Sequence, residues 1–217
     1  MIDFAARRNM MVDTQVRPSD VTKFPIIEAM LSVKRELFVP SDQIEAAYVS
    51  ENIPLAPGRV VLEPRTLSKL LDGLNIQRNE LVLDIGAGYG YSSAVIARLA
   101  EAVIAVEEDE DMAAEAQTLL SEQGADNVAV HTGPLSEGDA KNGPFDVIVI
   151  QGGVADLPDA LIDQIKEGGR IGCLFMEGAL GVARIGYKID GVMSWRYSFN
   201  ASAPVLPGFA TQPAFAL

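Results

Sequence analysis

Cysteine occurs once in the 217 residues, at Cys173, so the chain cannot close a disulfide on itself. Histidine also occurs once, at His131, and one cysteine with one histidine makes no cluster of metal-ligand spacing. Nor does His131 have the accompanying acid and serine motifs of a nucleophilic triad. No apolar run approaches the roughly 18 residues that suggest a membrane-spanning helix. The opening MIDFAARRNMMVDTQVRPSD lacks the apolar middle and small-residue cleavage site of a secretory leader, so a cytoplasmic location is expected. Positive charge is scarce. Lys and Arg number 17 against 30 Asp and Glu, a net charge of −13, and residues 81–217 carry −12 of it. Phosphate backbones are bound by concentrated positive charge, so no nucleic-acid partner is expected. The excess of acid serves solubility.

Apolar residues make up 48% of the chain, ample for one core with a small additional lobe. From Leu81 onward the pattern alternates. LVLDIG, AVIAVEE, NVAVHTG, PFDVIVIQGG and RIGCLFM read as strands. Helices are expected near Ser92–Ala100, over DEDMAAEAQTLLSEQG with Gly124 as its stop, and over LPDALIDQIKEGG with Gly168 and Gly169 as its stop. Strand–helix alternation predicts an α/β fold with a mostly parallel, doubly wound sheet covered on both faces. GVARIGYKIDGVMSWRYSF predicts an antiparallel hairpin at the sheet edge, turning at Asp190–Gly191. The first 78 residues differ. They predict a mainly helical lobe, with VTKFPIIEAMLSVKRELFV interrupted at Pro25, an irregular Pro-rich stretch, and the amphipathic helix RTLSKLLDGLN.

The most informative stretch is LVLDIGAGYGY at residues 81–91, a strand running into three glycines and then a helix. Such a turn brings backbone N–H groups close to a ligand. A dinucleotide fingerprint is spaced G-x-G-x-x-G, whereas Gly86, Gly88 and Gly90 are spaced G-x-G-x-G, with Asp84 two residues before the first. A carboxylate there repels a pyrophosphate but attracts the sulfonium and ammonium groups of S-adenosylmethionine. Glu107 ends the second strand, 21 residues after Gly86, where a carboxylate can accept hydrogen bonds from both ribose hydroxyls. Alternatively, the glycines serve only to let the strand and helix pack closely.

These residues resemble the class I S-adenosylmethionine-dependent methyltransferases. Within that class the chain is similar to the protein-L-isoaspartate O-methyltransferase family. VKRELFVP (Val33–Pro40) resembles that family's V-x-R-E-x-F-V-P, and Ala46–Tyr48 followed by Ile53–Gly58 its A-Y-x-D-x-P-L-P-I-G. LVLDIGAGYGYSSAVIARL resembles its V-L-E-I-G-T-G-S-G-Y-x-x-A-x-L-A-x-L, down to Tyr91 directly after Gly90. The tail APVLPGF resembles its substrate-cleft segment. The resemblance implies a Rossmann-like, seven-stranded domain over residues 79–217 that binds S-adenosylmethionine, and a lobe over residues 1–78 with a substrate-facing loop. It also implies methylation of the carboxylate of L-isoaspartyl residues in damaged proteins. The implied cofactor residues are Asp84, Gly86, Ala87, Gly88, Tyr89, Gly90, Glu107, Gly133, Pro134, Leu135 and Gln151.

The chain departs from the family in three places. Where the family reads T-I-S-Q-P, Val60, Leu62 and Glu63 replace the threonine, serine and glutamine before Pro64. Leu62 and Glu63 therefore stand at the catalytic substrate-loop positions without the donors expected there. Ser50 and Arg59 are alternative donors nearby in sequence. Where the family reads G-D-G, Pro134 replaces the aspartate that contacts adenine, leaving backbone groups and apolar contacts. Gln151 stands where the family has an alanine-rich turn. These departures keep open a methyltransferase for another acceptor and a non-catalytic binding protein, with a dehydrogenase as a more distant alternative.

Overall fold

The computed structural model describes residues 2–211. Its N-terminal part is built from short helices. In α1 (Phe4–Met11) the Asp3 carboxylate caps the first turn, accepting from the Ala6 N–H at 3.0 Å. The chain continues through a π-turn at Val12–Val16 and a 3₁₀ turn at Arg17–Ser19. In α2 (Phe24–Ser32), Pro25 begins the helix rather than interrupting it. A proline in the first turn gives up only an N–H that has no intrahelical partner. Val33 is extended and ends α2, so Arg35–Leu37 is a separate 3₁₀ turn. The Pro-rich stretch contains a small antiparallel hairpin, β1 (Ile53–Ala56) and β2 (Arg59–Val61), turning at Gly58. It leads into α3 (Pro64–Leu74), whose apolar stripe of Leu67, Leu70, Leu71 and Leu74 is buried.

The sheet follows the expected alternation: β3 (Leu81–Ile85), α4 (Tyr91–Ile96), β4 (Ala102–Glu107), α5 (Glu110–Glu122), β5 (Val128–Thr132), β6 (Phe145–Val154), α6 (Asp159–Asp163), β7 (Ile165–Glu177), β8 (Leu180–Ile189) and β9 (Val192–Asn200). Among the described residues these form a seven-stranded sheet in the order β5-β4-β3-β6-β7-β8-β9. The pairs from β5 through β7 are parallel, and the two pairs involving β8 are antiparallel. The chain steps outward from β3 to β5 and then returns to the other side of β3 at β6. The crevice at the carboxyl ends of β3 and β6 is therefore the switch point where such sheets bind ligands.

Two helices are shorter than the sequence pattern predicts. α4 ends at Ile96 rather than Ala100. α6 is a five-residue turn, because Ile165 already pairs with Phe145 in the sheet. Gly168 and Gly169 do not stop a helix. They lie in β7, where the register jumps from Phe145↔Ile165 to Val147↔Arg170 and Gly168 takes φ +78°. Pairing two fully buried apolar residues outweighs continuing a short helix. The β8–β9 turn has positive φ at both Asp190 (52°) and Gly191 (75°), the type I′ geometry that matches strand twist.

Alternation along the strands divides the core in two. Val82, Val103, Ala105, Val147, Val149 and Leu174 face α3, α4 and the N-terminal helices in one continuous cluster. Leu83, Ile85, Val106, Ile148, Ile150 and Cys173 face the other side, covered by Leu161, Leu206 and Phe209. Of the described residues, no helix is long and apolar enough to cross a membrane.

Candidate cofactor site

The glycine turn takes the shape its spacing predicts. Gly86, Gly88 and Gly90 have φ of +79°, +57° and +94°, a region that side-chain-bearing residues enter only with strain. Gly86 N–H donates to the Val106 carbonyl at 2.9 Å, tying the turn to the end of β4. At Gly88 a Cβ would lie 2.5 Å from Cδ1 of Leu55, so the β1–β2 hairpin rests directly on the turn. Ala87 is buried and Tyr89 half-buried beside it.

Asp84 lies beneath the turn with no solvent exposure. Its Oδ2 accepts from the hydroxyls of Ser92 and Ser93, both at 2.6 Å, and its Oδ1 from Nε2 of Gln151 at 2.7 Å. Burial pushes the Asp84 carboxyl above the ordinary carboxylate range, and these three donors oppose the shift. Asp84 thus joins β3, the start of α4 and the end of β6. Gln151 is part of this constellation. The serine pair is a part of this constellation that sequence reasoning missed; its signal is two hydroxyls opening the helix eight and nine residues after the acid.

Glu107 ends β4 and is also fully buried. Arg59, from β2, forms a bidentate pair with it: Nη1 to Oε1 at 2.6 Å and Nη2 to Oε2 at 2.5 Å. Gly88 N–H donates to Oε2 at 2.7 Å and Asp109 N–H to Oε1 at 3.1 Å. Four donors occupy the roughly four acceptor positions of one carboxylate. Arg59 is therefore paired with the acid at the end of β4 and not with the substrate loop. Nothing in its local sequence announces a partner 48 residues away.

After β5, Gly133 N–H donates to the Glu107 carbonyl at 3.0 Å. Pro134 is exposed and Leu135 is buried in the second core cluster. The C-terminal segment closes the crevice from above. Gly153 N–H donates to the Pro204 carbonyl at 2.8 Å, and Leu206 N–H to the Gly153 carbonyl at 2.9 Å. Leu206 side-chain atoms lie 3.3 Å from a Cβ built on Gly86 and 2.6 Å from one on Gly152. The leucine thus sits across the tips of β3 and β6.

Of the substrate-loop positions, Leu62 lies against the glycine turn. Leu62 is buried, and its carbonyl accepts from Nη2 of Arg35 at 2.9 Å. Arg35 is itself fully buried, donates through Nε to the Ala47 carbonyl at 2.6 Å, and lies 4.6 Å over the Tyr91 ring. Glu63 precedes α3, where its carboxylate accepts from the Thr66 hydroxyl at 2.7 Å and its N–H donates to Asn52 at 2.8 Å.

The glycine turn and the Glu107 carboxylate are the groups a nucleoside cofactor would meet, and here the N–H groups of Gly86, Ala87, Gly88 and Gly90 and the carboxylate are all paired within the chain. Between the turn, the start of α4 and β2 there is little room. The cavity bounded by Val60, Leu62, Gly86, Tyr91, Ser92 and Gln151 measures about 10 Å³, space for at most about one water molecule. Hollows of several hundred Å³ lie nearby, and one of them, that beside α5, reaches the glycine turn at Tyr89 and the helix start at Asp109. One of about 660 Å³ is lined by Ile26, Leu71, Ile76, Arg78 and Leu99 near the amino end of β3. Another, of about 610 Å³, runs between Val39, Ile44 and α5.

Comparison with known proteins adds an independent line. Residues 6–175 match the family model described as protein-L-isoaspartate(D-aspartate) O-methyltransferase. The protein-L-isoaspartate O-methyltransferase of Syntrophus aciditrophicus is 36% identical over 168 residues, 77% of each chain. That of Koribacter versatilis is 36% identical over 168 residues, 77% of this chain and 76% of its own. Among solved structures, a protein-L-isoaspartate O-methyltransferase superposes with a TM-score of 0.81 at 23% identity, covering 93% of this chain and 66% of the other. A Plasmodium falciparum protein described as a putative member, in complex with S-adenosyl-L-homocysteine, superposes with a TM-score of 0.77 at 17% identity, covering 95% and 99%. At those identities the structures establish the shared fold.

Proposed function

The chain belongs to the protein-L-isoaspartate(D-aspartate) O-methyltransferase family, and from that premise we propose that it transfers the methyl group of S-adenosylmethionine to the carboxylate of L-isoaspartyl residues in damaged cytoplasmic proteins. The observation that carries this reading is Glu107 at the carboxyl end of β4, facing a glycine turn whose three glycines are all left-handed. Residues 1–78 form the substrate-side lobe and residues 79–217 the cofactor-binding domain. Gly86–Gly90 would hold the cofactor, the Glu107 carboxylate would accept from the ribose hydroxyls once freed of its present partners, and the segment Gly133–Leu135 would border the adenine. Asp84 and Gln151 keep the turn in place.

When bound, S-adenosylmethionine supplies a methyl group made electrophilic by the sulfonium. The acceptor carboxylate is already anionic at neutral pH, so the chain needs no general base. Its work is to align that carboxylate and to exclude water. The apolar Val60, Val61 and Leu62 serve the second task, and Arg35 fixes their backbone through the Leu62 carbonyl.

The test is methyl transfer from labelled S-adenosylmethionine to an isoaspartyl peptide, with its aspartyl twin as control. Label on the isoaspartyl peptide alone is expected; label on neither overturns the substrate. The buried, donor-free Leu62 side chain favours a second reading, transfer to a different acceptor, for which Leu62→Ser leaves isoaspartyl labelling unchanged.

A further inference from the structure

We propose that Arg59 and Leu206 form an internal plug that holds the cofactor site shut, and that S-adenosylmethionine binds only after Arg59 releases Glu107. The inference rests on the reading of this crevice as the cofactor site.

Three observations meet at one place. The acid expected to hold a ribose diol has its acceptor positions taken by the Arg59 guanidinium and by the N–H groups of Gly88 and Asp109. The crevice where β3 and β6 diverge is roofed by Leu206, held by a parallel bridge between Val205 and Gly153. Where the turn faces Val60, Leu62 and Tyr91 the remaining space is about 10 Å³, and the nearest open hollow reaches only Tyr89 and Asp109 at the turn's outer side. A diol reaching Glu107 must displace the guanidinium, and a group entering between Gly86 and Gly152 must displace Leu206.

The two parts come from different ends of the chain. Arg59 lies on a three-residue strand in the N-terminal part, while Leu206 lies beyond the last strand. Neither belongs to the seven-stranded sheet, so Arg59 can move at the expense of the short β1–β2 pair alone, and Leu206 by releasing its bridge to Gly153. The charge pair also explains why both groups are buried. A guanidinium with a 5% exposed side chain is tolerated against a fully buried carboxylate because the fork geometry satisfies both. The open form is a minor state, and apparent affinity falls in proportion to its population.

The experiment is calorimetric titration of the full chain with S-adenosylhomocysteine, comparing wild type, Arg59→Gln and Leu206→Ala. Arg59→Gln removes the charge that competes for Glu107. Leu206→Ala opens the roof without touching the ion pair, which keeps the test available should Arg59→Gln fail to fold. Each variant is expected to bind at least about tenfold more tightly than wild type, the gain from removing a state populated ten to one over the open form. Tight binding by wild type, with folded variants no tighter, overturns the plug and leaves the methyltransferase reading standing. No binding by wild type or by either folded variant overturns both.

Discussion

Replacing Glu107 by alanine tests how much of the fold depends on its buried charge pair. Glu107 is fully buried and Arg59 nearly so, and they meet through two short parallel hydrogen bonds. Removing one partner strands the guanidinium in the protein interior, and breaking such a pair costs about 3–5 kcal/mol. The N–H groups of Gly88 and Asp109 also lose their acceptor. For a chain of this size, about 1 kcal/mol shifts the melting temperature by roughly 2–4 °C, so the variant should melt about 6–20 °C lower. The assay is urea denaturation followed by circular dichroism, read as a change in midpoint at constant slope. Glu107→Gln keeps an acceptor for one N–H and should lose less. In a double-mutant cycle, Arg59→Ala with Glu107→Ala should recover a coupling energy of at least about 2 kcal/mol. A single-variant loss below about 1 kcal/mol, or additivity within about 0.5 kcal/mol, refutes the reasoning and makes the pair an energetic bystander.

Two further outcomes follow from other buried groups. Burial holds the Asp84 carboxyl above its ordinary range, so the folded state binds that proton more tightly than the unfolded chain does. Its contribution is complete below the unfolded pKa and declines as pH rises through the folded value, so wild type should gain on Asp84→Asn as pH falls from about 7 to about 4; a pH-independent difference between the two overturns this. Arg35→Met orphans the carbonyls of Ala47 and Leu62 and should cost about 1–3 kcal/mol. Faster amide hydrogen exchange over residues 60–63 reports the released loop, and unchanged exchange there shows that Arg35 does not hold it.

Much of this architecture was legible because it is local. Apolar runs mark the strands, Asp190–Gly191 marks a primed turn, and three alternating glycines permit the left-handed backbone that the turn after β3 adopts. Glu107 was legible from spacing alone, since a parallel strand–helix–strand unit places the second strand's end beside the first turn. What stayed hidden is long-range. Arg59 looks like any charged residue after a turn until the hairpin carries it onto Glu107. Leu206 sits in a proline-rich tail with no periodicity, and its role comes from crossing two glycines remote in sequence. The strand character of Ile165–Gly169 was hidden for the same reason. Its pattern is helical, and only the pairing of Ile165 with Phe145 decides the matter.

The apolar cluster that joins the N-terminal helices to one face of the sheet has a consequence for how such chains diversify. Met11, Met30 and Phe38 share that cluster with Val82, Tyr91 and Val147. An exchange of the first eighty residues with a distant relative would therefore replace half of a single jigsaw, and the new half must interdigitate with the old at close-packed density. Recombination at the natural-looking seam before β3 is thereby penalised. Substitution is better tolerated in short stretches that do not enter the cluster, such as the turn after β5 at Gly133 and Pro134.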